Sequence, residues 1–127
     1  MKSLELCVEP GRFAVCRLAS DAAVPDWCSR EAFTSITRTA DELSIVCAER
    51  LVPPDVRAHR GWSCLAVAGP LDFAEVGVLS AICNPLAAAR ISLFAVSTFD
   101  TDYVLVREKK LADAIETLAQ AGHRVRR

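Results

Sequence analysis

Histidine is nearly absent from this chain, and much chemistry is excluded with it. His59 and His123 are the two histidines in 127 residues, and neither neighbours a serine or cysteine that it could deprotonate. No G-x-S-x-G elbow, P-loop or G-x-G-x-x-G turn occurs, so the usual signatures of hydrolases, NTPases and dinucleotide enzymes are missing. Neither histidine has a ligand-spaced partner and no two cysteines form a C-x-x-C pair, which leaves no zinc pattern. An excess of charge is lacking too. Fifteen basic residues against 16 acidic ones leave a net charge of −1. That balance offers no electrostatic grip on nucleic acid or an anionic membrane surface. No apolar run approaches the roughly 20 residues of a membrane span.

Cysteine, by contrast, is plentiful: Cys7, Cys16, Cys28, Cys47, Cys64 and Cys83. An even count suggests disulfides in a secreted chain. Here the opening MKSLEL carries no apolar signal segment, and 52% hydrophobic residues supply a core without staples. Cys7, Cys16, Cys47 and Cys64 each lie in an apolar strand-like run, where free cysteine packs as a small hydrophobe. The expectation is a cytoplasmic protein with reduced, buried thiols.

The C-terminal half has the clearer pattern. WSCLAVAG (62–69) reads as a strand stopped by Gly69-Pro70. In the following stretch Leu79, Ile82, Cys83 and Leu86 recur at helical spacing, with Asp72 as N-cap and Pro85 kinking or loosening the helix. ISLFAVS and YVLV read as strands on either side of TFDTD. A second amphipathic helix carries Leu111, Ala114, Ile115, Leu118 and Ala119 on one stripe, with Gly122 just past its end. HRVRR is left as a short, solvated final strand. This order is the split βαβ arrangement of ferredoxin-like folds, with helices on one face of a four-stranded antiparallel sheet.

The N-terminal half repeats the plan with less helix. LELCVEP and RFAVCRL flank a turn at Pro10-Gly11, and FTSITRT and ELSIVCAE flank another at Ala40-Asp41. The chain therefore reads as α+β. It comprises two tandem ferredoxin-like βαββαβ units with antiparallel sheets, residues 1–60 and 61–127, the first degenerate and helix-poor.

The turn TFDTD contains neither Gly nor Asn, the usual residues of a tight hairpin. It is crowded instead with hydroxyls and carboxylates. In an extended segment Thr98, Asp100 and Asp102 would project to one side. Carboxylates beside hydroxyls suit an ammonium or guanidinium group, and the free amides of a helix starting at Gly69-Pro70 suit a carboxylate. Together they would hold a zwitterion; the alternative is a purely structural turn. Asp41 and Glu42 read as solvated carboxylates capping their own turn.

GPLDFAEVGVLSAICNPLAAARISLFAVSTFDTDYVLV resembles the ACT domain, in the branch found in small bacterial two-domain proteins and cytosolic arginine sensors. PLAAARIS and STFDTDYVLV are its most specific parts, and FTSITRTADELSIVC resembles the degenerate half that precedes the domain in those bacterial proteins. The resemblance implies a regulatory, non-catalytic fold that binds amino acids at a seam between paired ACT units. It needs no cofactor or metal and involves no nucleic acid or membrane. By this resemblance the ligand positions fall on Glu75 in the first turns of helix one, on Thr98, Phe99 and Asp102, and on the backbone from Gly69 through Leu71 to Asp72; Asp100 joins them from the residue types of the turn alone. Ser35 and Thr37 are candidates for polar contacts from the N-terminal half. A homodimer acting on a separate regulated protein is implied. An ACT-fold interaction module that binds no ligand is the alternative.

Overall fold

The computed structural model describes residues 3–28, 31–72 and 75–127. Its strands are β1 (Glu5–Val8), β2 (Phe13–Leu18), β3 (Ser35–Arg38), β4 (Leu43–Ala48), β5 (Ala58–Val67), β6 (Leu93–Ser97), β7 (Asp102–Arg107) and β8 (Arg124–Arg126). Its α-helices are α1 (Val78–Ala88) and α2 (Leu111–Gln120). Two compact units result, one of Gly11–Trp62 and one of Met1–Pro10 with Ser63–Arg127. The fold is α+β and sheet-dominated, in two ferredoxin-like units.

The first ten residues do not stay with the N-terminal unit, in contrast to a contiguous division at residue 60. β1 pairs antiparallel with β5 (Leu6 opposite Val67) and parallel with β8 (Leu6 opposite Val125). The second unit thus has five strands rather than four, in the order β6-β7-β5-β1-β8, with β1 inserted where β5 and β8 would otherwise meet. Alternation explains the docking of so short a β8. Val125 packs against the core, while Arg124 and Arg126 reach the Glu5 carboxylate at 3.4 and 3.2 Å. The core of this unit gathers Leu4, Leu6, Leu65, Val67, Ile82, Leu86, Val104, Val106 and Leu118. On α2, Ala114 and Leu118 are fully buried, Leu111 and Ile115 half-buried, and Ala119 exposed. The stripe is real and narrower than its sequence pattern.

Helix α1 starts later than the apolar pattern begins. Its N-cap is Gly77 at φ 87°, a left-handed conformation that cannot continue a right-handed helix from upstream. Asp72 caps a turn of its own, its carbonyl accepting the Glu75 N–H at 2.9 Å, so neither Asp72 nor Glu75 belongs to the helix. Within α1, Pro85 has no N–H to offer the Ala81 carbonyl. The helix nevertheless runs on to Ala88, because that carbonyl lies 3.0 Å from His123 Nε2. The Nδ1 atom of the same ring accepts the Leu4 N–H at 3.1 Å. With one nitrogen accepting and the other facing a carbonyl, the ring is the Nε2–H tautomer and closes two backbone gaps at once. His123 is thus a buried keystone, 4% exposed, rather than part of a solvated tail.

The N-terminal unit keeps the ferredoxin strand order, β3-β4-β2-β5, with antiparallel ladders throughout. Among its described residues the helix positions are taken by irregular chain and a 3-10 turn, Glu49–Leu51. Ala14, Cys16, Leu43, Ile45, Cys47 and Val52 form its own core. All six cysteines are free thiols. Cys16, Cys47 and Cys64 are buried as expected, whereas Cys7 is exposed because it faces outward where Leu6 faces inward.

Replacing His123 with Leu leaves a buried carbonyl and a buried N–H unpaired and is expected to cost roughly 2–5 kcal/mol in urea unfolding. Leu118→Ala is expected to cost about 2–5 kcal/mol as a core truncation. A change below about 0.5 kcal/mol in either variant would contradict these assignments.

Candidate functional site

The β6–β7 hairpin carries the site. Ser97 opposes Asp102 as its last register pair, and the Ser97 hydroxyl donates to Asp102 Oδ1 at 2.5 Å. Beyond them the chain turns rather than staying extended. The Thr98 N–H donates to the Thr101 carbonyl at 2.8 Å, and the Thr98 hydroxyl both donates to that carbonyl and accepts the Thr101 N–H. The threonine side chain therefore does the work that Gly or Asn does in a shorter hairpin. Thr101 in turn donates through its hydroxyl to the Val67 carbonyl at 2.7 Å, pinning the hairpin tip to the end of β5.

A second wall comes from the chain between β5 and α1. The Leu71 N–H donates to the Asp100 carbonyl at 2.7 Å. Gly69 makes this approach possible: a Cβ there would sit 3.1 Å from the Asp100 carbonyl oxygen and 3.2 Å from Thr101 Cβ. Between the two walls lies an open cavity of about 350 Å³, whose lining includes Leu71, Asp72, Glu75, Thr98, Asp100 and Asp102. Phe99 also lines it while being 87% exposed, so it is a rim residue and not core. Val78, Leu79 and Ser80 bring the first turn of α1 to the same space. Their amides are among those that an α-helix leaves without an internal carbonyl partner.

The structure thus brings seven of the sequence-derived positions to one cavity, with Gly69 supporting it from behind. Ser35 and Thr37 lie on β3 of the other unit and are not part of this lining. Sequence reasoning named Thr101 within the turn without giving it a site role, and passed over Ser97 and Ser80. The hydroxyl at 97 was legible only once the strand register placed it opposite Asp102.

Asp102 is half-buried and Asp100 exposed. The lining therefore offers two hairpin carboxylates together with Asp72 and Glu75. Two thiols of the same unit are pushed toward the protonated form. Burial, and then the Asp102 carboxylate, push the Cys83 thiol up. Burial and Glu9 push Cys64 up to about 12. Desolvation also raises the Tyr103 phenol, helped by Glu9, Cys64 and Asp100. In the other unit the interaction of the two neighbouring thiols lowers Cys16 despite its burial and raises Cys47. Among the described residues no group of three or more His, Cys, Asp or Glu side chains converges as a metal site requires, and no helix is long and apolar enough to cross a membrane.

Comparison with known proteins places these features in context. A family model described as the ACT domain matches residues 57–120, and a second model, of an N-terminal domain, matches residues 11–55. The crystal structure of a protein from Agobacterium tumefaciens is similar at a TM-score of 0.93 and 42% identity, covering 98% of this chain and 93% of that one. The cytosolic arginine sensor for mTORC1 subunit 1 of Homo sapiens is 43% identical over 58 residues, which are 45% of this chain and 18% of the sensor. The match thus spans less than a fifth of the length of that relative. Aspartokinase alpha and beta subunits share the fold alone, at a TM-score of 0.65 and 14% identity, over 94% of this chain and 98% of that one.

Gly69→Ala crowds the hairpin tip, because the nearest obstructing atom is a backbone carbonyl that must give way by a few tenths of an ångström. The expected cost is about 1–3 kcal/mol in denaturant unfolding, with NMR shifts concentrated at 98–101. An unfolding midpoint equal to that of the parent chain would contradict the contact.

Proposed function

The chain belongs to the ACT domain family, and from that premise we propose that it is a non-catalytic regulatory protein whose cavity binds a free amino acid. The observation that carries this reading is the pairing of opposite chemistries across one 350 Å³ space. Unpartnered amides of the α1 first turn suit the ligand carboxylate. The Asp102 and Asp100 carboxylates suit its ammonium group or a cationic side chain. The volume lies at the lower end of the 300–1,000 Å³ usual for small-molecule pockets. The kinship with an arginine sensor supports an amino acid as the ligand class. The acidic lining favours a cationic one.

The regulated polypeptide would be separate, the protein cytoplasmic and the working form a homodimer. The edge strand β6 is apolar (LFAVS) and paired on one side with β7, the arrangement in which a second copy adds a strand. Cys64 and Cys83 are held protonated and both His123 nitrogens are engaged with backbone groups, which speaks for a non-catalytic role. A second reading is an ACT-fold interaction module without ligand. It is favoured by Val76 and Phe99, which expose 94% and 87% of their surface. Exposed apolar surface marks a protein contact where it forms a contiguous patch.

A thermal-shift screen against the twenty amino acids separates the two readings. Ligand at one hundred times its dissociation constant stabilises by about 2.7 kcal/mol, a shift of several degrees. Asp102→Asn is expected to weaken binding about tenfold while changing unfolding free energy by less than about 1 kcal/mol. No shift with any amino acid would favour the interaction module. Lost stability with unchanged binding would make Asp102 a structural residue.

A further inference from the structure

The N-terminal unit has a concavity of its own, about 230 Å³, whose walls include Arg17, Ser44, Arg57 and His59. We propose that it binds a small oxyanion, a carboxylate or phosphate, between the guanidinium groups of Arg17 and Arg57. This site is independent of the amino-acid cavity and shares no residue with it.

The strand registers place the donors in a row across the sheet. Thr37 on β3 opposes Ser44 on β4, Ser44 opposes Arg17 on β2, and the Arg17 N–H donates to the Arg57 carbonyl at 3.0 Å. His59 stands next along β5, opposite Val15. Hydroxyls from β3 and β4 thus lead to two guanidiniums and an imidazole, all groups able to donate to an anion.

The guanidiniums are not consumed elsewhere. Arg17 commits one N–H to the Asp41 carbonyl at 2.9 Å, out of the five that a guanidinium carries. Arg57 has no hydrogen-bond or ion-pair partner for its side chain among the described residues. Glu42 is the one carboxylate in the lining, against two permanent cations, so the cavity stays positive. Like charges on neighbouring strands repel. An anion between them replaces that repulsion with charge-assisted bonds, and the planar guanidinium fork matches the two oxygens of a carboxylate or phosphate. The volume admits inorganic phosphate or a short carboxylic acid.

The test is calorimetric titration of the whole chain with sodium phosphate and, separately, sodium succinate, each at ionic strength held constant with sodium chloride. Saturable binding of at least one probe is expected, weakened about tenfold or more in Arg57→Gln. Asp102→Asn should bind the same probe with parental affinity. Because Arg57 is exposed, its replacement should leave the thermal midpoint in plain buffer unchanged, so a loss of binding is not a loss of fold. A response to phosphate alone identifies a phosphate site, and one to succinate alone a carboxylate site; either upholds the proposal. No saturable binding of either probe, or equal affinity in Arg57→Gln, overturns it.

Discussion

The short hydrogen bond from the Leu71 N–H to the Asp100 carbonyl, 2.7 Å long, holds the loop after β5 against the tip of the β6–β7 hairpin. It joins segments about thirty residues apart, and both cavity walls are placed by it. Gly69 supplies the clearance, and Thr101 adds a second tie through its hydroxyl to Val67. Without these contacts the carboxylates of Asp100 and Asp102 would belong to a free hairpin end, with nothing opposite them. A turn rich in Thr and Asp is thus explained by two demands. Its hydroxyls build the turn and dock it, and its carboxylates are left to face the space so created.

The other wall depends on α1 starting where it does. Gly77 at φ 87° separates the helix from Asp72 and Glu75, which lie outside it. The helix therefore presents its first-turn amides to the cavity instead of burying them in an earlier turn. At its far end the same helix tolerates Pro85 because His123 accepts the task that the missing amide leaves undone. That imidazole also holds Leu4, and so ties the helix to the chain leading into the inserted strand β1.

Much of this was legible in the sequence, and what was not has identifiable causes. Periodicity located α2, and Leu118 and Ala114 are buried as the 3.6-residue stripe requires. It also gave the order of elements, because alternation and turn residues are local signals. The insertion of β1 between β5 and β8 is a long-range pairing that no local pattern encodes. The start of α1 was misplaced because the apolar pattern of 71–86 runs continuously through Gly77, and the backbone angle of that glycine decides the boundary. His123 stood in a basic run that reads as solvated; its burial follows from Pro85 nearly forty residues away. For the site, residue types at 98–102 singled out the turn that lines the cavity. The assumption of an extended strand gave the wrong reason, since Thr98 and Thr101 close the turn on each other.

The central claim is that one cavity, between the hairpin tip and the chain leading into α1, receives the ligand. Amide hydrogen exchange on the whole chain, with and without the amino acid that stabilises it most, tests this most directly. The account predicts added protection at Leu71, Glu75, Thr98 and Thr101 and in the first turn of α1, with little change across β2–β4. Protection confined to residues 11–62, or spread evenly over the chain with none at the hairpin, would contradict it.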